Sequence, residues 1–367
     1  MRRRIYCMGA YRDDTSLWIY SNALMKELEG KYTIIDIRRG YQDLSLIQHI
    51  FQYIKYIFNF MLYQNFNNND IILEIHNINM IPPLMLGKKG VRIHIVHDFF
   101  YYDKDFYLKK KWIEKLMYYY YNSIHKWLYK LVFKRASKII AISQATKNEI
   151  IDKFWSSFAN KIEVIHNGMD TSAFKPLLQK EKKSDHDQYL LYVGSELWRK
   201  NLKNIIAAFA LVHKEFSNLK LIKAPCEWVS EYRNQTLEAI KDNGLEVGKE
   251  VLFVDEYLPL EKLVELYQNA EIFLFPTLKE GFWFPIIEAQ ACWVPVITTN
   301  YEPMSELVSY KEMLVDPNNP KDIAEKIIKI LKNPALKKQM VDDWLDYVKQ
   351  FSWEKTAEKF EEVFRKI

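Results

Sequence analysis

The segment Glu280-Gly-Phe-Trp-Phe-Pro-Ile-Ile-Glu288 joins a predicted strand to a predicted helix. The strand is indicated by the apolar run at 272–275, which is short and is soon followed by a glycine turn. The helix is predicted over 286–292, directly after the turn. Strand, glycine turn and helix in this order are typical of a parallel α/β sheet, whose ligands bind at the carboxyl ends of the strands.

The two glutamates of this segment have seven residues between them and suit different contacts. A glycine turn between strand and helix leaves backbone N–H groups aimed outward, where the helix dipole favours an anion such as a diphosphate. Glu280 is predicted in the loop beside that anion. Glu288, about two turns along the helix, is placed to accept hydrogen bonds from hydroxyl groups. The pattern predicts recognition of a sugar joined to a nucleoside through phosphates.

Segments along the chain resemble, in order and spacing, the motifs of one transferase family. Residues 280–300 carry a glutamate-seven-glutamate signature, and further matching segments lie at 139–146, 164–170, 191–201 and 351–364. Each motif alone is weakly specific, but their order makes the combination specific. Together they resemble the family 4 retaining glycosyltransferases of the GT-B fold, over roughly the last two thirds of the chain.

The rest of the chain also alternates strand and helix patterns, which predicts an α/β protein with parallel sheets covered on both faces. By the resemblance, the fold is GT-B: two doubly wound Rossmann-like domains that face each other across a cleft, with a C-terminal helix that crosses back to the first domain. The predicted strands are 4–8, 33–37, 71–75, 91–96 and 138–142 in the first half, and 189–193, 219–222, 251–254, 272–275, 295–298 and 313–315 in the second.

A charged segment without apolar periodicity, at 170–188, predicts the linker between the domains. We place the acceptor-binding domain at residues 1–174 and the nucleotide-sugar-binding domain at 175–350. The last helix, within 351–367, is expected to pack on the first domain. A chain of 367 residues is long enough for two domains of ordinary size.

Composition excludes several other classes of protein. An apolar fraction of 49% with 27% charged residues is typical of a globular protein and not of a disordered one. Three scattered cysteines are too few for a disulfide framework or a zinc site. The apolar part of the N-terminus stops at Gly9, too early for a signal peptide, so we expect a cytoplasmic location.

Charge is divided unevenly between the two halves, which suggests an anionic partner for the first. Residues 1–175 carry 26 Lys and Arg against 16 Asp and Glu, whereas residues 176–367 carry 26 against 31. The segment 104–138 mixes basic and aromatic residues but has no stretch that would span a bilayer. It is predicted either to lie on the inner face of an anionic membrane or to face the core with a solvated basic back. Segment 41–66 leaves the same alternatives open. No nucleic acid partner is expected.

Arg199 and Lys200 lie between a predicted strand that leads to Gly194 and the next predicted helix. Arg presents a planar fork to phosphate oxygens and Lys a mobile point charge, so the pair suits a diphosphate. An isolated Arg-Lys pair is usually a solvated surface feature, but the resemblance implies donor binding here, with Gly194 beside the pair. No metal and no other cofactor is then expected, and the Asp-x-Asp sequences at 103–105 and 185–187 are interpreted as solvated loops.

The resemblance also assigns roles within the glutamate segment. Glu280 would contact hydroxyls of the transferred sugar and stabilise developing positive charge, and Glu288 would bind the ribose hydroxyls. The apolar neighbours of Glu288 indicate that its carboxylate needs a partner. Backbone amides of Gly281, Phe282 and Trp283 would contact donor oxygens. Trp283 replaces the glycine usual in the family, and its indole is expected to narrow the sugar pocket or to stack on a sugar.

His97 follows the predicted strand at 91–96 and is the histidine best placed for the reaction. The resemblance puts it near the 6-hydroxyl of the sugar, where it would orient and polarise; the alternative is a structural histidine. In a retaining reaction of this type the leaving phosphate oxygen takes the acceptor's proton, so no side-chain base is needed. Catalytic roles are therefore expected for His97, Arg199, Lys200 and Glu280.

Two further donor contacts are predicted outside these motifs. Tyr257, after the predicted strand at 251–254, is placed to stack on the nucleobase or to pack in the core. Gly9 lies where the family often has a pair of glycines, and it is also assigned to the donor site.

These expectations combine into a retaining, metal-independent glycosyltransferase. It would move a hexose from a nucleotide-diphospho-sugar to a hydroxyl of a glycan or lipid-linked glycan. GDP-mannose is slightly favoured over a UDP-sugar, from a loose likeness of residues 97–98 and 199–201 to bacterial mannosyltransferases. Two alternatives stay open: a GT-B nucleotide-sugar epimerase, and a non-catalytic scaffold that is a partner subunit in glycan assembly.

Overall fold

The computed structural model divides the chain into two compact units. The first comprises Met1–Gly168 and Trp353–Ile367, and the second comprises Met169–Ser352. The residues described are 2–8, 10–11, 16–37, 39–40, 66–75, 89–99, 118–119, 121–154, 156–177, 188–224, 230–256 and 258–367.

The first unit is built on a parallel sheet, to which the described residues contribute six strands. These are β1 (Arg4–Met8), β3 (Thr33–Asp36), β5 (Ile71–Ile75), β6 (Val91–Val96), β7 (Lys138–Ala141) and β8 (Ile162–Val164). Their order is β3-β1-β5-β6-β7-β8, and each neighbouring pair is parallel. Two short strands, β2 (Ala10–Tyr11) and β4 (Arg39–Gly40), pair with each other.

Helices cover this sheet because its central strands, β5 and β6, are buried on both faces. The described helices of this part are α1 (Ser16–Leu28), α2 (Lys126–Arg135), which follows the π-helical turn Tyr121–His125, and α3 (Gln144–Phe154). A 3₁₀ helix follows at Ser156–Lys161. Strand β5 is buried along its whole length. An aromatic cluster that includes Phe99, Tyr129, Phe133 and Phe154 fills the space between β6, β7 and helices α2 and α3.

The second unit repeats this plan with its own six described strands. They are β9 (Tyr189–Val193), β10 (Lys220–Ala224), β11 (Val251–Phe253), β12 (Ile272–Phe275), β13 (Val296–Thr299) and β14 (Leu314–Val315). Their order is β11-β10-β9-β12-β13-β14, and all neighbouring pairs are parallel. The helices are α4 (Leu202–His213), α5 (Ser230–Asp242), α6 (Leu260–Asn269), α7 (Phe284–Ala291), α8 (Pro320–Leu331) and α9 (Pro334–Lys349). Short 3₁₀ turns lie at Trp198–Lys200, Met304–Leu307 and Lys311–Met313.

Helices α8 and α9 begin with the same local device. Each has proline in its first turn, where the missing N–H costs no helical hydrogen bond. An asparagine side chain caps each start: Asn319 accepts from the amides of Lys321 and Asp322, and Asn333 accepts from the amide of Leu336. These caps fix where the two helices begin.

The final helix, α10 (Trp353–Arg365), belongs to the first unit, where it packs against α1. Lys31 Nζ lies 2.6 Å from Glu361 Oε1, and the ring of Tyr32 meets that of Phe364 at 5.6 Å. The segment after Gly168, in contrast, is held by the second unit, because the Met169 amide donates to the Phe351 carbonyl at 2.6 Å. The division between the two compact units therefore falls between Gly168 and Met169.

Two parallel six-stranded sheets, each flanked by helices, agree with the predicted α/β class.

Candidate functional site

Three predicted site residues meet in the second unit. Glu280 Oε1 accepts a hydrogen bond from Nη1 of Arg199 and lies 2.5 Å from Nζ of Lys200. Lys200 is 1% exposed and Glu280 is 9% exposed, so this ion cluster is shielded from water, where charges interact more strongly than at a surface. One carboxylate therefore binds two cations. An oxyanion with more negative charge can displace the carboxylate and bind both cations.

The backbone turn that carries the two cations is fixed by Asn201. Residues Trp198–Lys200 form a single 3₁₀ turn, and Asn201 ends it in the left-handed conformation with φ 63°. Its Nδ2 donates to the carbonyls of Pro276 and Pro317, each at 2.7 Å. Asparagine tolerates this conformation better than most residues, and its buried amide here joins three separate segments. The sequence pattern gave no sign of this role.

The loop after β12 is tied to the same turn. The Arg199 carbonyl accepts from the Leu278 amide at 2.8 Å and from the Thr277 hydroxyl at 2.7 Å. The hydroxyl of Tyr301 lies within hydrogen-bond distance of two carbonyls of this loop, those of Thr277 (2.8 Å) and Leu278 (2.6 Å). Because Glu280 follows directly in this loop, these bonds set its position relative to Arg199.

Trp283 lies against both parts of the cluster. Its indole stacks on Phe275, with ring centroids 4.9 Å apart and planes 6° apart. The Lys200 ammonium lies 2.8 Å from the centroid of the indole. Gly194 approaches the same group, since a Cβ there would lie 3.5 Å from Trp283 Cζ2 and 2.9 Å from the Tyr192 hydroxyl. Gly194 is therefore required by close packing, next to the Lys200 and Trp283 pair.

The second glutamate of the segment has a partner of its own. Glu288, in α7, accepts a hydrogen bond at Oε2 from the Tyr267 hydroxyl at 2.8 Å. Burial raises the pKa of Glu288 to about 7, although the hydrogen bond from Tyr267 acts in the opposite direction. The Glu288 carboxyl therefore titrates near neutral pH. Among the described residues, no hydrogen bond or ion pair joins it to the Glu280 cluster.

Gly281 and Phe282 lie in the loop between β12 and α7, as predicted. Phe282 is buried, and its ring meets that of Phe284 at 5.3 Å. Trp283 is the N-cap residue of α7, and no side chain caps this helix start. Pro285 supplies no N–H in the first turn, and the Ile286 amide donates to the Trp283 carbonyl at 3.3 Å.

His97 lies in the first unit, directly after β6. Its ring meets Tyr20 edge-on at 4.6 Å, and Tyr20 in turn meets Trp353 at 5.5 Å. Burial lowers the pKa of His97 to about 3, so the imidazole is neutral at physiological pH. Its Nε2 is buried and has no hydrogen-bond partner among the described residues.

Several predicted positions lie outside the described residues. They are Gly9, Tyr257 and both Asp-x-Asp sequences, at 103–105 and 185–187. Across the described ranges, no group of three or more His, Cys, Asp or Glu side chains is arranged to hold a metal ion.

A second buried charge cluster in this unit was not predicted. The side chain of Glu196 is fully buried, with Oε1 2.9 Å from Nε of Arg233 and 3.4 Å from Nζ of Lys223. Arg233 also pairs with Asp255 and lies over the ring of Phe253 at 4.1 Å. Glu196 follows β9, Lys223 lies near the end of β10 and Asp255 follows β11. Arg233 lies in α5, so the cluster ties the carboxyl ends of three strands to this helix.

Part of the basic aromatic segment 104–138 is described, and it is amphipathic. Tyr129 and Phe133 are buried, whereas Ile124 is 57% exposed and Trp127 is 59% exposed. Partial burial and the nearby charges of Lys130 and Lys153 lower the pKa of Lys126, which indicates a concentrated positive potential. No helix of the described part of the chain is long and apolar enough to cross a membrane.

Comparison with known families matches both units. The family model described as "Glycosyl transferases group 1" matches residues 174–343, and that described as "Glycosyltransferase Family 4" matches residues 25–173. The two matches are adjacent and together leave only the ends of the chain uncovered.

Several characterised and uncharacterised proteins are similar in sequence. An uncharacterized glycosyltransferase of Methanocaldococcus jannaschii is 25% identical over 287 residues, which covers 76% of this chain and 69% of that protein. The O-antigen chain mannosyltransferase RfbU of Salmonella typhimurium is 23% identical over 333 residues, with 86% and 85% covered. The serotype-specific mannosyltransferase WbdA of Escherichia coli is 26% identical over 64% of this chain, which spans only 29% of that longer protein.

Solved structures share the fold over the whole chain. Sucrose-phosphate synthase from Thermosynechococcus elongatus superposes with a TM-score of 0.75 at 17% identity, with 100% of this chain and 99% of that chain covered. Anabaena HepE, solved in complex with UDP and glucose, gives a TM-score of 0.74 at 15% identity, with both chains fully covered. At these identities the likeness establishes the fold alone, which is that of two Rossmann-like domains.

Proposed function

The chain belongs to the family 4 glycosyltransferases, and we propose that it transfers a hexose from a nucleotide-diphospho-sugar to a hydroxyl of a glycan. In this proposal the configuration at the transferred carbon is retained and no metal ion is needed. The second unit would bind the donor, and the first would bind the acceptor.

The observation that carries the proposal is the ion cluster at Glu280. Arg199 and Lys200 both bind its carboxylate, so two positive charges are held at one point of the second unit. A leaving diphosphate gains negative charge as the bond to the sugar breaks, and fixed cations in a site shielded from water stabilise that charge. Because these two side chains supply the positive charge, we expect transfer without a metal.

Donor binding would redistribute the contacts of Glu280. When the diphosphate takes the cations, the carboxylate is released to accept hydrogen bonds from the sugar. Glu288 would accept from the ribose hydroxyls, and with its pKa raised to about 7 the carboxylate that accepts forms near neutral pH.

The acceptor's proton would pass to the leaving phosphate oxygen on the same face of the sugar. No side-chain base is required for that route, and His97 fits it because a neutral, buried imidazole is a poor proton carrier at physiological pH. His97 would instead orient or polarise a hydroxyl through Nε2, which has no partner among the described residues.

We propose GDP-mannose as the donor. Two similar proteins, RfbU of Salmonella typhimurium and WbdA of Escherichia coli, are mannosyltransferases by name, which supports a mannose donor. A UDP-sugar is the next candidate, since the similar fold of HepE was solved with UDP.

We further propose that the acceptor is lipid-linked and that the chain binds an anionic membrane through the turn Tyr121–His125 and helix α2. This surface presents Ile124 and Trp127 to solvent beside Lys130 and Lys134. Exposed apolar side chains bordered by lysines suit the interface of an anionic bilayer. The apolar side chains would insert into the bilayer, and the lysine amines would bind the headgroups.

A thermal-shift panel of GDP, UDP, GDP-mannose and UDP-glucose tests the donor assignment. A ligand that binds only the folded chain raises the melting temperature, and we expect the largest rise with the guanine nucleotides. A rise in melting temperature with UDP and none with GDP would show that the donor is a uridine and not a guanosine nucleotide. No rise with any of the four would remove the donor site itself.

Turnover is tested separately, by release of GDP from GDP-mannose in the presence of membranes that carry lipid-linked glycans. We expect GDP release that depends on the membranes, with an α-linked product from the α-linked donor by NMR. Conversion of the donor without an acceptor would favour the epimerase. Nucleotide binding with no turnover would favour the non-catalytic scaffold.

A further inference from the structure

Trp283 belongs to a stack of aromatic rings at the carboxyl ends of two strands. Phe275, at the end of β12, lies between the indole and Tyr192 of β9, with centroids 4.9 Å from the first and 6.0 Å from the second. The indole Nε1 is buried and has no hydrogen-bond partner among the described residues. The indole is therefore held by the faces of its ring and not by a hydrogen bond.

The face of the indole is also a partner for a buried charge. Lys200 is 1% exposed, and its ammonium lies 2.8 Å from the indole centroid and 2.5 Å from Glu280 Oε1. A buried ammonium requires partners that replace water, and an aromatic face supplies one through its negative quadrupole. The indole therefore contacts both the Phe275 ring and the Lys200 ammonium.

We propose that Trp283 is a positioning residue for Lys200 in donor binding. This inference rests on the proposed function, in which the donor's diphosphate displaces Glu280 from the cations. A carboxylate and a diphosphate compete for the ammonium, whereas the indole is neutral and competes with neither. Trp283 therefore keeps the ammonium at one place both before the diphosphate arrives and while Glu280 is being displaced.

The proposal predicts different effects on binding of the diphosphate and on binding of the rest of the nucleotide. If the indole acts on Lys200 alone, its loss weakens contacts with the diphosphate and leaves contacts with the base and ribose intact. Trp283→Leu removes the aromatic face and keeps an apolar side chain against Phe275, whereas Trp283→Phe keeps a smaller face. Dissociation constants of GDP and UDP, compared with those of guanosine and uridine by ligand-observed NMR, distinguish the two effects.

We expect Trp283→Leu to weaken binding of the nucleoside diphosphate that the wild-type chain prefers by about tenfold, and Trp283→Phe to weaken it less. Nucleoside affinity should be unchanged in both variants. Trp198→Leu is the matched control, because Trp198 is the first residue of the 3₁₀ turn that ends at Lys200. Its side chain is 40% exposed and has no cation contact among the described residues. Unchanged melting temperatures establish that the variants fold.

Two results would overturn the proposal while the donor site stands. One is wild-type affinity for the diphosphate in Trp283→Leu, and the other is an equal loss for diphosphates and nucleosides, which indicates a general change of the pocket. If the wild-type chain binds neither GDP nor UDP, the proposed function fails and this inference fails with it.

Discussion

The hydroxyl of Tyr267 donates to Oε2 of Glu288 at 2.8 Å, which gives the second glutamate of the 280–288 segment a partner within the protein. Tyr267 is itself buried, and burial, with the Glu288 carboxylate next to it, raises its pKa well above the usual value. The phenol therefore stays protonated and donates to the Glu288 carboxylate. The carboxyl, with its pKa raised to about 7, is the member of the pair that titrates near neutral pH.

Binding of GDP-mannose should become tighter as the pH rises through 7. Ribose hydroxyls donate to the ionised carboxylate, so binding requires loss of the Glu288 proton. With a pKa of about 7, the apparent dissociation constant should fall about tenfold between pH 6 and pH 8. The nucleotide sugar is used because its diphosphate has no ionisation in this range. Glu288→Gln should bind more weakly and independently of pH; a wild-type profile that is flat would contradict the ribose contact.

The raised pKa of Glu288 also predicts how the stability of the chain depends on pH. Stability should fall as the pH rises, whereas binding of GDP-mannose should become tighter. The pKa of Glu288 is raised from 4.5 in the unfolded chain to about 7, so its contribution is fully present below pH 4.5 and is lost as the pH rises through 7. We expect a loss on the order of 3 kcal/mol in the free energy of unfolding across this window. Urea unfolding of the wild-type chain and Glu288→Gln at several pH values tests this. Glutamine mimics the protonated carboxyl, so the two chains should be similarly stable near pH 4.5, and the wild-type chain should become the less stable of the two as the pH rises through 7.

Lys200→Met should weaken GDP binding by about 10- to 100-fold, the range expected for loss of a charge-assisted hydrogen bond. Methionine keeps the length of the side chain beside Trp283 and removes the charge. Lys203→Met is the control, since Lys203 is exposed one turn away, at the start of α4. Calorimetric titration measures both. Equal affinities in the two variants would show that the diphosphate lies elsewhere.

The sequence predicts the bounds of the strands better than it predicts the contacts of the site. Strands 71–75, 91–96, 189–193 and 272–275 have the predicted bounds, because each is a short, mainly apolar run. The first two contain the polar residues Glu74, Arg92 and His94. Strand β8 was not predicted, since three residues, Ile162–Val164, are too few for a periodic pattern. Parallel strands buried on both faces are the elements whose sequence says most about their structure.

The site residues could be listed from the sequence, but their contacts could not. Arg199, Lys200 and Glu280 were selected by motif, yet about 80 residues of chain separate the cations from the carboxylate that neutralises both. The stacking of Trp283 under Lys200 and the bond from Tyr267 to Glu288 have no local signal, because they arise only when separate strands bring their ends together. The buried Glu196 cluster was missed for the same reason.

Membrane binding should depend on the exposed face around Trp127. Trp127→Ser combined with Lys134→Glu removes one inserting ring and reverses one charge, and we expect loss of sedimentation with vesicles that contain phosphatidylglycerol. Leu237→Ser with Lys241→Glu is the matched pair, since Leu237 and Lys241 are exposed on α5 in the second unit. Vesicles of phosphatidylcholine alone should bind neither. Equal sedimentation of both double variants would place the membrane contact on another surface.

Breaking the cluster at Glu196 should destabilise the second unit without touching Arg199, Lys200 or Glu280. The Glu196 side chain is fully buried, and Glu196→Gln would leave Lys223, itself 1% exposed, without the opposite charge that lies 3.4 Å away. Removal of one partner from a buried ion cluster costs about 3–5 kcal/mol, because the remaining charge stays away from water.

Glu246→Gln is the control, since Glu246 pairs with Lys249 at the surface and should leave stability unchanged. Adding Lys223→Met to Glu196→Gln removes the excess positive charge and should recover part of the loss. A single variant as stable as the control would mean that water or Asp255, whose Oδ1 lies 4.0 Å from Lys223 Nζ, already compensates the charge.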